Sequence, residues 1–536
     1  MELQNKKLNK VDYMLVIASV VFTALVFIIV AKDKRITFCD EAYTYMITNS
    51  KAATVQFETN VLYSREQVQD ILAHNKGDSF IGMLKNVLSD KVHPPLYYVF
   101  MYLSSMLARG NFSKWIGLSV NMLFLIGTVL CLWKILYKLF NSGVLSTLSV
   151  VLYVLSQSTL SDMMLIRMYM TMTFFTAAFV YVNMELICNR SNKKVYPALI
   201  AVTTAGFLTQ YYFAFFAFAF FLIEVIICIK RKAKKQIKPY FVSMLISVLA
   251  ATMIWPFWIP CMLMNSHASA IAGNLTEAGS FLYKMYDGIR ILQVSVFQKA
   301  YVVCGIAVML FFLFFVLNGR IRKEKKEKWE LVCKLLSASF LYAMLVRVLT
   351  PEYLTSGRYY YCAEMLEILA ILIAVYTLLE EYIKRYVTGV SVCMVLLLLI
   401  ANEFAFYYGY GIDYYTDAME YDRQKDKLME YEDSVWIVAE PESFFTHANI
   451  WDMCIPDYIL FIDEKSEYKE DYAKLPEFSK ADKFIVITRQ YTTDDGYIDF
   501  LDRGLYYFIG TSKRFVNAQL LFERNGLTYY AATVVE

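Results

Sequence analysis

Two adjacent acids, Asp40 and Glu41, stand in the segment FCDEAYTY at 38–45, a few residues past a long apolar run. Paired carboxylates can divide labour, one taking a proton while the other holds a hydrogen-bond partner or a cation. An ordinary solvated acidic pair at a loop start fits the same residues. Further on, HPPLYY at 93–98 supplies His93, one of only four histidines, with Tyr97 close behind it. Its prolines impose an extended entry, and Pro94 can open a helix without losing a hydrogen bond. His93 could orient an acceptor or a phosphate, or serve as a polar cap.

Three other segments set a cation or a polar group beside tyrosines. They are Arg167 and Tyr169 in LIRMYM, Gln210 and Tyr211 in LTQYYF, and Arg358 and Tyr359 in SGRYYY. One arginine at a membrane boundary is explained by snorkelling to lipid headgroups. Two on one face, each followed by rings, fit a phosphate clamp better: guanidinium binds phosphate oxygens bidentately, and tyrosine offers sugars an amphipathic stacking surface. Asp162 and Glu352 are further acids on that side, for which loop solvation suffices.

The elements that must position these residues are membrane helices. Of 536 residues, 58% are hydrophobic and 19% charged, against about 45–50% and about 25% in soluble domains. A water-soluble fold is excluded. The net charge of +3 is small and its cations fall in short clusters between apolar runs, so they report orientation, and nucleic acid is not an expected partner. The cysteines show no paired spacing that would build a disulfide framework or a zinc site.

A span needs roughly 20 largely apolar residues. Such runs recur near 12–31, 116–137, 144–160, 169–188, 196–210, 211–229, 241–262, 300–318, 332–350, 360–382 and 387–407, which predicts about eleven transmembrane helices. The first run follows Lys6, Lys7 and Lys10 without a small-residue cleavage site and reads as a retained span. Positive-inside bias makes cytoplasmic those lysines, Lys134 with Lys138, Arg190 with Lys193 and Lys194, the clusters at 230–238 and 320–328, and Lys384 with Arg385. An alternating path satisfies all of them only if the apolar stretch 95–108 does not cross. At about 14 residues that stretch is too short for a span and is expected in the outer interface. The loop 32–115 is then external, within a multi-spanning module over 1–408. After it, 409–536 turns charged, with short runs such as SVWIVAE, DYILFID, DKFIVITR and LYYFIG between polar stretches. This predicts a soluble extracytoplasmic α/β domain.

The constellation resembles the GT-C superfamily of polytopic glycosyltransferases, in particular glycosyltransferase family 39, with the protein O-mannosyltransferases and aminoarabinose lipid A transferases. The likeness rests on DEAYTY after the first span, HPPLYY closing the first external loop, Arg167 with Tyr169 before a later span, and Arg358 with Tyr359 in a late loop. It covers roughly residues 10–405. Many relatives carry a histidine where this chain has Gln210. The resemblance implies an α-helical integral membrane protein of GT-C type that moves a sugar, with inversion, from a polyprenyl-phosphate donor in the bilayer to an acceptor hydroxyl on a protein, lipid or cell-envelope polymer. It implies Asp40 as general base, Glu41 and His93 on acceptor or donor phosphate, and Arg167 and Arg358 on the leaving phosphate, with the tyrosines and Gln210 lining the substrate. The active site is expected on the extracytoplasmic side of the cell membrane. No cofactor is certain, and a divalent metal at Asp40 and Glu41 is conceivable. A transporter or flippase for lipid-linked saccharides is the main alternative, but its midplane charges and internal repeats are not visible. A catalytically silent polytopic sensor with an external domain is a third reading.

Overall fold

The computed structural model describes residues 8–35, 37–49, 57–188, 192–232, 237–264, 281–297, 325–350, 357–383, 386–407, 418–438, 449–462, 483–489 and 515–534, with a few further positions between them. The chain divides into two compact units. One comprises 1–32, 91–97 and 118–413; the other comprises 33–90, 98–117 and 414–536.

The first unit is helical. Among the described residues, 7 helices are long and apolar enough to span a bilayer: Lys10–Lys32, Lys114–Phe140, Tyr169–Cys188, Phe213–Lys230, Ile237–Ile254, Lys326–Leu349 and Gly357–Glu381. The expected run at 144–160 breaks into Gly143–Val154 and Gln157–Met164, bent by 62°, so it counts as a span only if the pair is taken together. The break falls where Ser156 accepts from Thr159 N, a side-chain cap that starts a new helix. The run 196–210 yields a shorter apolar helix, Val195–Thr209, the run 387–407 is the helix Val387–Tyr407, of which Val387–Ile400 is apolar but short of a span, and the run 300–318 lies mostly outside the described residues. These differences separate about eleven expected spans from the shorter observed set. The stretch near 95–108 forms the helix Leu96–Leu107, also shorter than a span.

Large apolar side chains point outward on the spans: Met14, Ile17, Leu25 and Ile29 on the first, and Leu249 and Met253 on Ile237–Ile254. A surface of this kind is stable against lipid tails and not against water. Several charged groups turn inward and are paired, as lipid favours. Arg347 and Asp287 meet at 2.7 Å, and Lys334 pairs with Glu330 at 3.0 Å and with Glu224. The helix Phe281–Phe297 packs on Lys326–Leu349 closely enough that a Cβ on Gly288 would come within 2.5 Å of Ala343 O, so only glycine fits there.

The second unit contains a six-stranded sheet. Its strands are β1 (Val61–Ser64), β2 (Val435–Val438), β3 (Tyr458–Phe461), β4 (Lys483–Arg489), β5 (Phe515–Arg524) and β6 (Leu527–Val534), in the order β1-β3-β2-β4-β6-β5. The three parallel central strands are short apolar runs buried on both faces. Val435, Ile437, Leu460, Phe484 and Val486 form one core, while Trp436 on the opposite face is wholly buried and donates through Nε1 to Tyr431 O. The strands expected at 434–440, 457–463 and 482–489 are β2, β3 and β4; the run 505–510 lies outside the described residues. β5 and β6 close on Asn525 (φ 47) and Gly526 (φ 78), the left-handed pair that a two-residue hairpin requires.

β1 comes from the segment that follows the first span and pairs antiparallel with β3, Val61 opposite Phe461. Arg65 strengthens this join, donating from its backbone to Asp457 O and pairing with the Asp457 carboxylate at 2.9 Å. Arg35 does the same elsewhere in the unit, binding both oxygens of Asp422 at 2.8 and 3.1 Å.

His74 supplies a pH-dependent element of this unit. Burial holds its imidazole below the usual histidine range, with Arg109 adding to that effect and Asp78 opposing it. The unfolded chain therefore binds the proton more readily than the folded one, so stability is lost as pH falls below the ordinary histidine pKa of about 6.5. The expected result is a thermal midpoint that falls between pH 7.5 and 5.5, with a smaller fall in His74→Phe; scanning both proteins in the same detergent checks it.

Candidate functional site

In the second unit the acidic pair opens the helix Cys39–Asn49. Its two members have different surroundings. Glu41 is fully enclosed: Oε1 lies 3.1 Å from Lys34 Nζ, itself fully enclosed, and Oε2 accepts from Phe38 N at 2.7 Å. This carboxylate caps the helix start, where backbone N–H groups lack partners and negative charge is favoured. Asp40 is only half-buried. Its backbone carbonyl accepts from Thr44 Oγ1, and its charge helps push the nearby Tyr43 hydroxyl above the usual tyrosine range, a shift caused first by burial.

The remainder of DEAYTY holds the helix in place. Tyr45 is wholly buried; its hydroxyl donates to Ser113 O at 2.9 Å and accepts from Gly117 N at 3.2 Å. Asn86 Nδ2 donates to Ile47 O, and Asn49 Nδ2 to Leu72 O. Asp40 thus projects from a helix fixed at both ends.

Removing Glu41 would leave Lys34 as a buried, uncompensated cation. Glu41→Ala is expected to cost about 3–5 kcal/mol of stability, whereas Lys34→Met combined with Glu41→Leu recovers most of it, because the pair is then replaced by apolar volume. Unfolding curves of the three solubilised proteins check this ordering. A cation drawn to Asp40 would have to displace Lys34 to gain Glu41 as a second carboxylate ligand, so the pair does not form a ready two-carboxylate cradle. Among the described residues no group of three or more His, Cys, Asp or Glu assembles as a metal set.

In the first unit the structure brings together residues far apart in sequence. Arg167, 4% exposed, lies in the turn between Gln157–Met164 and Tyr169–Cys188, with its Nη2 2.9 Å from His93 Nε2. A guanidinium has no acceptor, so His93 Nε2 must accept, and the imidazole in this contact is neutral and carries its proton on Nδ1. Two residues on, Tyr169 meets Tyr359 edge to face at 5.7 Å, and Arg358 Cζ sits 5.9 Å from the Tyr169 ring and 5.4 Å from that of Tyr359. Both distances fall within cation–π range. Tyr97 is wholly buried in the same unit.

Gln210 and Tyr211 are both buried. Gln210 Oε1 accepts from the backbone N of Tyr211 at 2.8 Å, so the amide is folded onto its own turn. The ring that reaches the arginine cluster is that of Tyr212, which meets Tyr359 edge to face at 5.1 Å and shares a 3.0 Å hydrogen bond with Thr350 Oγ1. The sequence pointed to Tyr211 as a substrate-lining residue, and the ring that meets Tyr359 is that of its neighbour Tyr212. Asp162 is enclosed and accepts from Thr173 Oγ1, and Glu352 lies outside the described residues.

Residues 92–258 match a family model described as dolichyl-phosphate-mannose-protein mannosyltransferase. No curated protein sequence matches. Among solved structures, the chain is similar to ArnT from Cupriavidus metallidurans bound to undecaprenyl phosphate, at 9% identity over 96% of this chain and 97% of that one, with a TM-score of 0.50. It is also similar to the archaeal oligosaccharyltransferase AglB from Archaeoglobus fulgidus in complex with an inhibitory peptide and a dolichol-phosphate, at 10% identity over 96% of this chain and 74% of that one, with a TM-score of 0.41. At this identity the likeness to ArnT is one of fold.

Proposed function

We propose that the chain is a multi-pass membrane glycosyltransferase of the GT-C type that transfers a sugar from a polyprenyl-phosphate donor to a hydroxyl on the extracytoplasmic side, with inversion; the family match over residues 92–258 and the likeness in fold to ArnT support this reading. The observation that carries this reading is Arg358 over the rings of Tyr169 and Tyr359, with Arg167 in the turn two residues before Tyr169 and in contact with His93. A guanidinium over two aromatic rings, with a second one carried by the turn that leads into one of them, suits a ligand that is a phosphate at one end and a sugar at the other. The ArnT structure that this chain resembles in fold holds undecaprenyl phosphate, which supports the choice of donor class.

In the proposed reaction, the acceptor oxygen attacks the anomeric carbon from the face opposite the phosphate and the C–O bond to phosphate breaks. Asp40 takes the acceptor proton; polyprenyl phosphate departs with the bonding pair. Attack from the opposite face inverts the anomeric centre. Asp40 needs only modest basicity, because the hydroxyl becomes acidic as its new bond forms. Arg167 and Arg358 are placed in advance to meet the charge developing on the phosphate, which lowers the barrier without reorganisation. His93, neutral against Arg167, orients that guanidinium. Glu41 serves the helix that carries Asp40.

Proteoliposomes loaded with sugar-labelled polyprenyl phosphates and an acceptor extract test the reading. Label should leave the lipid and appear covalently on acceptor. Label that changes leaflet while remaining on polyprenyl phosphate would identify a flippase instead.

A further inference from the structure

We infer that Asn121 is a positioning residue for Arg167, acting through the turn that carries it; the inference rests on the reading of Arg167 as a phosphate ligand. Asn121 lies in the span Lys114–Phe140 and is 0% exposed. An amide buried among apolar helices is costly unless hydrogen-bonded. Its Nδ2 donates to two backbone carbonyls, Met163 O at 3.1 Å and Leu165 O at 2.7 Å.

Those carbonyls mark the end of the helix Gln157–Met164, where the last C=O groups have no partner within the helix. Leu165 N donates to Ser161 O. Asn121 satisfies the next positions from a neighbouring span and so closes a helix end that has no glycine cap. Leu165 O also accepts from Arg167 N at 2.8 Å. One carbonyl therefore receives both the Asn121 amide and the backbone of the arginine. Asp162 and Thr173 add a second pin, 2.9 Å long, from the helix before the turn to the helix after it.

The turn is fixed in this way by hydrogen bonds to its backbone and between its flanking helices. The guanidinium that this turn carries is oriented by His93 and is the group that would meet the phosphate. Loss of the Asn121 amide would free the Met163 and Leu165 carbonyls and let the turn shift. Displacement of a binding group by about 1 Å can cost up to about a hundredfold in rate.

The test compares wild type, Asn121→Leu, Arg167→Lys and the double variant as solubilised full-length proteins. Initial transfer rates are read against the concentration of a labelled polyprenyl-phosphate sugar, and thermal midpoints are read alongside. Asn121→Leu should lower kcat/KM for the donor about tenfold or more in the wild-type background and have little further effect in Arg167→Lys, the non-additivity of residues that act as a unit. Asn121→Gln, which keeps an amide donor, should recover part of the loss. If Asn121→Leu does not fold, Asn121→Ala takes its place with the same expectation. Unchanged kcat/KM in Asn121→Leu while Arg167→Lys is impaired would overturn the inference alone, as would an equal loss in both backgrounds. Full activity in Arg167→Lys and Arg167→Ala would overturn the reading of Arg167 and the inference with it.

Discussion

Asp40→Asn is expected to lower the transfer rate by about 10²–10⁴-fold, the range that a general base contributes, or about 3–5 kcal/mol on the barrier. Asparagine keeps the size and hydrogen-bonding reach of the side chain but cannot accept the acceptor's proton. Asp40 is half-buried at the start of a helix whose anchors are Glu41, Tyr45, Asn49 and Asn86, so removing its charge leaves those contacts in place. The thermal midpoint of Asp40→Asn should therefore stay near that of wild type. This separates it from Glu41→Ala, whose loss of activity should accompany a loss of folded protein. Initial rates and melting curves of the two variants, measured together, check the distinction. Equal activity of Asp40→Asn and wild type would remove Asp40 from the chemistry.

The second large effect is expected at Arg358. Removing one preplaced charge that meets a developing anion typically costs about 10²–10³-fold in kcat. Arg358→Ala should show a loss of that size. Arg358→Lys should recover only part of it, because an ammonium keeps the charge but not the planar fork or the stacking on Tyr169 and Tyr359. The same measurement distinguishes a phosphate ligand from an arginine that merely snorkels to lipid, whose replacement by lysine would be nearly silent. Donor titrations of the three proteins give the order.

The membrane architecture was legible because a span announces itself: an apolar run near the bilayer thickness carries its own signal and needs no distant partner. Where a run broke, as at Leu155 and Ser156, the signal was the polar stretch Ser156–Thr159, whose first serine caps a new helix, and averaged hydropathy does not weigh a cap. The central strands β2, β3 and β4 were legible as β-branched runs. β1 was not, since the four residues VLYS gain their meaning only from pairing with Tyr458–Phe461, far along the chain. The β5–β6 hairpin could have been read from Asn525-Gly526, the strongest short-range turn signal in that region.

The candidate residues could be read as types and not as geometry. Asp40 and Glu41 are indistinguishable neighbours in sequence, yet burial and the Lys34 contact separate an accessible acid from an enclosed cap. His93 and Arg167 looked like independent candidates, and their contact at 2.9 Å makes them one device. Tyr212 and Asn121 were missed for opposite reasons: one was hidden among many tyrosines, and the other looked like a stray polar residue in a span.

The central claim, transfer from a polyprenyl-phosphate sugar, is tested most directly by stoichiometry. Purified protein is supplied with a donor labelled separately in sugar and lipid, and both products are quantified over time. The account predicts one polyprenyl phosphate released for each sugar fixed on acceptor, at equal rates. Release of the lipid without sugar on acceptor, or no consumption of any polyprenyl-phosphate donor, would contradict it.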